Sequence, residues 1–150
     1  MPGTLTFHDA TDADRPAYNR LFRAYAALYG RDLTDDHLDW AWDSFTTGPN
    51  RCLIADLDGR TVGFVQYRLY RWLLHGTTSV FADDMYVDPD ARGNGIGRRL
   101  LEELARLCHR NGWEGVRWFA TSGNEDGQRL YDRFGGRAHV VTYDLFPIAD

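Results

Sequence analysis

The sequence predicts an α/β fold: a mixed, mostly antiparallel sheet with flanking helices, in the order β-α-α-β-β-β-α-β-α-β. Three observations predict it. Two runs rich in strand formers meet at Asp58-Gly59, a strong hairpin signal. A third strand run leads into a glycine-rich loop that opens an amphipathic helix. Beyond that helix, strand and helix patterns alternate once more.

The elements follow in order. Residues 5–8 read as a short first strand. Thr11 or Asp12 caps a helix running to about Leu28, with Pro16 in its first turns and Gly30 as its stop. Thr34 caps a second helix with Leu38, Trp42 and Phe45 on its apolar stripe, ending before Gly48-Pro49. Strands cover 51–57 and 60–73. His75-Gly76-Thr77-Thr78 then turns into the strand holding Asp83 and Asp84. The next helix places Leu100, Leu104 and Leu107 on one stripe, with Leu101 beside it, and ends near Asn111-Gly112. Residues 116–120 read as a strand and 125–134 as a short helix closed by Gly135-Gly136. Residues 138–146 read as a final strand. No linker or internal repeat breaks the chain, so 1–150 is expected to be a single domain.

Composition narrows the class. A chain of 150 residues suits one domain with a real core. Hydrophobic content of 43% and aromatic content of 14% argue against disorder. A formal charge of −5 weighs against nucleic acid as a partner and is compatible with a cationic substrate. Cys52 and Cys108 form neither a metal pattern nor a disulfide framework and read as small buried hydrophobes. His8, His37, His75, His109 and His139 are scattered without ligand spacing, so no metal is expected. No charged-then-apolar leader and no long apolar run occurs, which predicts a soluble, cytoplasmic protein without a membrane partner. All seventeen basic residues are arginine, so no lysine side chain is available for self-acylation.

The loop carries the chemistry. Gly93, Gly95 and Gly97 let the backbone adopt positive φ and approach a ligand closely. The helix opening there points unpaired N–H groups and its positive dipole end at the loop, which favours a bound anion. Arg92 and Arg98 add charge and fork-shaped donors. The spacing fits neither a Walker loop nor a dinucleotide fingerprint. On the next helix, Asn124 and Tyr131 are two turns apart and face one way, with Gln128 between them. Asn124 reads either as a ligand-binding amide or as a plain N-cap. Tyr131 reads either as a reactive phenol or as a core aromatic.

Arg92-Gly93-Asn94-Gly95-Ile96-Gly97, after a strand ending in Tyr-Val-Asp-Pro, closely resembles motif A of the GNAT superfamily of acyl-CoA N-acyltransferases. The run from Asn124 through Leu130-Tyr131 to Gly135 is similar to motif B, with Gln128 at a usual Ala position and Gly135-Gly136 replacing Gly-Phe. The resemblance covers about residues 4–143, and its specific part runs over 81–135.

The resemblance implies a GNAT-like fold and an enzyme that takes acetyl-CoA as cosubstrate, with no metal. The pantetheine arm would add to the strand around Met85, Tyr86 and Val87. The pyrophosphate would lie on Gly93, Asn94, Gly95, Ile96 and Gly97, with Arg92 and Arg98 nearby. Asn124 would bind the pantetheine arm or a water, and Tyr131 would protonate the departing thiolate.

An alkylammonium is only about one-thousandth neutral at pH 7.4, a deficit of roughly 4 kcal/mol, so a base is needed. Asp83 is the first choice. It shares strand parity with Met85 and Val87, and spermidine/spermine-type acetyltransferases carry a Glu-Asp pair at Asp83-Asp84. Asp84 would face the other way in a regular strand, unless a bulge changes the parity. A structural role for Asp84 weighs equally with a functional one. In this fold the first two helices form the acceptor wall. Here they offer Tyr25, Tyr29, Asp32, Asp35, Asp36, Asp39, Trp40 and Trp42, which suit an ammonium. The expected acceptor is a small-molecule amine such as a polyamine or diamine. A protein lysine or amino terminus is the alternative. A non-catalytic acyl-CoA sensor and a protein-interaction domain are rivals of other classes, and a homodimer is left open.

Overall fold

The computed structural model describes residues 3–150, in two compact units, Met1–Phe119 and Ala120–Asp150. The first unit contains β1 (Leu5–Asp9), α1 (Arg15–Ala27), α2 (Asp35–Thr46), β2 (Asn50–Leu57) and β3 (Arg60–Trp72). It continues with β4 (Thr77–Val87), α3 (Ile96–Asn111) and β5 (Val116–Trp118). The second unit holds α4 (Glu125–Asp132).

The strands form one sheet in the order β1-β2-β3-β4-β5, antiparallel throughout except for the parallel β4–β5 pair. The mixed, mostly antiparallel α/β class is as predicted. Asp58 and Gly59 close the β2–β3 hairpin with φ of 53° and 79°, the left-handed pair that matches strand twist. Thr34 caps α2 by accepting the His37 N–H at 3.2 Å. The first helix begins later than its cap suggests. Thr11 opens a 3-10 turn over Asp12–Asp14, and the Thr11 N–H and hydroxyl both donate to Asp14 before α1 starts.

Helices α1 and α2 bury Tyr18, Leu21, Phe22, Leu38 and Trp42 in one core with Ile54, Phe64 and Tyr86 of the sheet. Helix α3 buries Ile96, Leu100, Leu101, Leu104 and Cys108, so Cys108 rather than Leu107 completes its apolar stripe. Both cysteines are free and buried, as expected, and desolvation raises both thiol pKa values.

Tyr18 is wholly buried, and its hydroxyl accepts a 2.6 Å hydrogen bond from the Gln66 amide. Tyr18→Phe strips that buried amide N–H of its acceptor. A loss of about 1–3 kcal/mol in urea-melt stability is expected, with little change in secondary structure by circular dichroism.

The final strand expected over 138–146 does not form. That expectation rested on Val140, Val141, Thr142 and Tyr143, but strand propensity describes fit to a paired, half-buried surface. No described strand pairs with this stretch, and Val141, Tyr143, Leu145 and Phe146 are exposed. Helix α4 and β5 each end two residues earlier than expected.

Candidate active site

Strand β4 positions the site. It pairs with β5 only at Val80, Phe81 and Ala82, and β5 stops at Trp118 while β4 runs on to Val87. The edge over residues 83–87 therefore leaves β5 behind. Backbone groups along such an edge can take an extended ligand as an added strand. Met85, Tyr86 and Val87 lie on this stretch. Tyr86 is buried against Tyr25 and Phe64. Met85 and Val87 point the other way, within van der Waals reach of a Cβ built at Gly97.

The turn after β4 is tied down before the loop begins. Asp88 is buried, accepts the Asp90 N–H at 3.1 Å and accepts Arg20 of α1 at 3.2 Å. The Asp90 N–H first, and then Arg20, outweigh burial and hold the Asp88 carboxyl below its ordinary value. Its folded pKa is thus depressed. The stability it contributes is present above the unfolded carboxylate pKa and is lost as pH falls through the folded one. Asp88→Ala should cost about 1–2 kcal/mol in denaturant melts at pH 7. The gap between the two proteins should narrow steadily below pH 4.

The loop has the predicted left-handed backbone at two of its three glycines; Gly97 already lies in the first turn of α3 and has no positive φ. Gly93 and Gly95 have φ of 85° and 68°, and Gly95 is the N-cap of α3 without any side chain capping it. The first-turn N–H groups of a 16-residue helix thus lie at a glycine rather than under a Ser or Asp oxygen. Asn94 anchors the loop by donating to the Ala91 carbonyl at 2.8 Å. Arg92 bends back: its Nε donates to the Val87 carbonyl at 3.2 Å, with the guanidinium 5.6 Å from the Tyr86 ring centroid. Arg98 pairs with Glu102 along the helix at 2.7 Å. Ile96 is buried and anchors the first turn. The donor set fits a phosphate-bearing arm.

A β-bulge aims the two acids. Gln66 pairs with Asp84, but Tyr67 pairs with Ala82, so Asp83 is the extra residue of β4. The parity expected of Asp83 with Met85 and Val87 is thereby broken. Asp83 and Asp84 instead line one cavity of about 350 Å³, with Gln66 and Arg68 of β3 and Asn50 of β2. Its other wall is aromatic, made by Phe22 of α1 with His37, Trp40 and Phe45 of α2.

The two carboxylates are held differently. Arg68 Nε donates to both Asp83 oxygens at 3.1 and 3.0 Å, while the Tyr25 hydroxyl donates to Asp84 at 2.8 Å. Burial raises the Asp83 pKa, Arg68 opposes that, and the neighbouring Asp84 charge adds to it; the net direction is upward. Desolvation first, then the Asp84 bond and charge, push the Tyr25 phenol well above its ordinary value, so it remains a donor.

Of the expected acceptor residues, Trp40, Asp83 and Asp84 line this cavity, and Tyr29 and Asp32 do not. Tyr29 packs its ring 5.2 Å from Tyr25 and is 54% exposed, on the rim of the aromatic group. Asp32 falls in the exposed loop between α1 and α2. Trp42 is core. His37, set aside in the sequence because it lacked ligand spacing, stands in the cavity wall edge-on to both Phe22 and Trp40. A larger cavity of about 520 Å³ lies at the turn end of β3 and β4, but no carboxylate lines it.

In the second unit Asn124 is the N-cap of α4, its side-chain oxygen accepting the Gly127 N–H at 3.0 Å. Gln128 donates back to the carbonyls of Thr121 and Ser122, each at 3.1 Å. The Tyr131 ring packs edge-on to Phe134 at 6.3 Å. The capping reading of Asn124 thus describes its oxygen. Among the described residues, no group of three or more His, Cys, Asp or Glu side chains could hold a metal ion, and no helix is long and apolar enough to cross a membrane.

Known proteins share this plan. A profile of the acetyltransferase (GNAT) family matches residues 15–136. The chain is 29% identical over 134 residues to the D-amino-acid N-acetyltransferase HPA3 of Saccharomyces cerevisiae, covering 87% of this chain and 83% of that one. It is 34% identical over 100 residues to the aminoglycoside N(6')-acetyltransferase type 1 of Stenotrophomonas maltophilia, covering 64% and 62%. The crystal structure of a ribosomal-protein-alanine N-acetyltransferase from Brucella melitensis biovar Abortus 2308 superposes with a TM-score of 0.85 at 25% identity, covering 95% and 99%. With the family profile spanning most of the chain, the protein belongs to the GNAT family and is an acetyl-transferring enzyme.

Proposed function

We propose that the protein moves an acetyl group from acetyl-CoA to the primary amine of a small molecule, by direct attack in a ternary complex. The observation that carries this reading is the bulge at Asp83, which sets two carboxylates in a cavity beside the free edge of β4. Acetyl-CoA, when bound, supplies the activated acyl carbon. The N–H groups at Gly93, Gly95, Ile96 and Gly97 would receive its pyrophosphate, and the edge at Met85, Tyr86 and Val87 its pantetheine arm. Asp83 takes a proton from the incoming ammonium, directly or through a water. The amine nitrogen then bonds to the thioester carbon, and a main-chain N–H near Tyr86 or Val87 stabilises the oxyanion. The C–S bond breaks, and the thiolate takes a proton. Motif B assigns that proton to Tyr131 and a cofactor contact to Asn124. Those two roles rest on the motif alone.

The size of the cavity and its aromatic wall favour a small cationic amine, with a polyamine or diamine as the simplest case. Of the three proteins named above, two act on D-amino acids and aminoglycosides, which are small-molecule amines, and the third is a ribosomal-protein-alanine N-acetyltransferase. The family match spans both compact units, which supports reading residues 1–150 as one acyltransferase domain. A thiol-release assay across polyamines, amino acids, aminoglycosides and lysine peptides tests the reading, alongside calorimetry with acetyl-CoA. Turnover of a small amine is the expected result. Turnover of peptides alone would replace the acceptor class. Acetyl-CoA binding without turnover of any amine would favour a sensor.

A further inference from the structure

The cavity floor holds a cation as well as two anions. Arg68 lines it beside Asp83 and Asp84, and only its Nε is used by Asp83. Among the described residues no hydrogen bond engages its two terminal nitrogens. The guanidinium carbon lies over the Phe81 ring, 4.8 Å from its centroid, so the ring covers one side of it. Phe81 is the β-pair partner of Arg68, so the stack is built into the sheet. A guanidinium held by its Nε and by one face still offers a planar pair of N–H donors, the geometry that receives a carboxylate.

Two carboxylates and one guanidinium leave the floor at −1. A lysine-type acceptor, with two ammoniums and one carboxylate, carries the single positive charge that neutralises it, whereas a diamine carries one too many. A carboxylate on the substrate would satisfy the free donors of Arg68.

We infer that the acceptor carries a carboxylate together with its amine, and that Arg68 is the residue that anchors it. The acceptor class thus narrows from small primary amines in general to those of the amino-acid type, in place of the plain diamine. This rests on the transferase reading above.

Matched pairs that differ only in the carboxylate test it: lysine with cadaverine, ornithine with putrescine, phenylalanine with phenethylamine. Thiol release is measured for each on the full chain. The carboxylate-bearing member of the best-used pair should lead by at least tenfold in kcat/KM. In Arg68→Gln that ratio should collapse to within threefold of unity, and Arg68→Lys should restore part of it. The ratio is insensitive to any general loss from disturbing Asp83, because both members of a pair share that loss. Arg68 is about half exposed, so neither variant removes core. A smaller lead, or a ratio that survives in Arg68→Gln, would overturn the inference. So would turnover of aminoglycosides with none of the six amines used, which would leave the transferase reading standing. Failure to bind acetyl-CoA would instead sink that reading itself.

Discussion

Asp83→Asn is expected to lower kcat/KM for acyl transfer by about 100- to 1,000-fold at pH 7.5, the usual contribution of a positioned base. The proposed acceptor enters as an ammonium, and without a base only its rare neutral fraction would react. Asp83 is suited to the task because it is the bulged residue, lies in the cavity with Asp84, and is partly desolvated. Desolvation and the Asp84 charge raise its pKa against the pull of Arg68, which brings it nearer the working pH.

The sign of the pH effect follows. With Asp83 as the proposed base, activity requires it ionised, so activity is present above the raised pKa and falls as pH drops through it. The acid limb of kcat/KM should therefore sit above the ordinary carboxylate range. In Asp83→Asn that limb should vanish. The rate should instead climb with pH towards the pKa of the amine, so the two proteins converge in alkali. Asp84→Asn should cost less and keep the acid limb, because that variant retains the Asp83 carboxylate, whose pKa is raised. A larger loss in Asp84→Asn than in Asp83→Asn would transfer the role of base to Asp84.

The contrast between these two acids shows what a sequence can carry. Signals confined to a few neighbouring residues were legible. The glycine loop, the Thr34 cap, the Asp58-Gly59 hairpin and the Gly112 stop all appear where their local chemistry puts them. The bulge was raised only as an alternative, because it is a property of how β3 and β4 register and neither strand alone encodes it. Arg68, Gln66, Asn50 and Phe22 were missed for the same reason: they meet the acids only through sheet pairing and helix docking. His37 had a weak signal. It falls on the same face of α2 as Ala41 and Ser44, at helical spacing from Trp40, and all four line the cavity. The stretch 138–146 failed the other way, since its residues favour a strand but supply no partner.

Gly95→Val is expected to raise the Kd for acetyl-CoA by about 100-fold or more, equivalent to roughly 2.7 kcal/mol, while the protein stays folded. Gly95 has φ of 68° and ψ of 18°, where an L-residue costs about 1–2 kcal/mol and a β-branched one is worse. A Cβ there would meet nothing within 4 Å, so the penalty lies in the backbone and not in a clash. The chain relieves such strain by rotating the loop away from its left-handed turn. That rotation turns the first N–H groups of α3 away from the place proposed for the pyrophosphate. It also puts a branched side chain into the open space beside the loop. The loss in melting temperature should be modest, about 3–8 °C for this strain in a chain of this size. Gly97→Ala is the matched control for backbone strain. Its φ is not left-handed, and a Cβ would lie 3.5 Å from Met85 and 3.9 Å from Val87, ordinary contact distances. Alanine is also the better helix former, so that variant should melt at the same temperature or slightly higher. Calorimetry on both proteins separates the effects. An unchanged Kd in Gly95→Val would mean that the α3 N-terminus does not hold the cofactor. A weakened Kd with a nearly intact melt would tie binding to the conformation of one glycine, because no contact in the folded protein depends on its missing side chain.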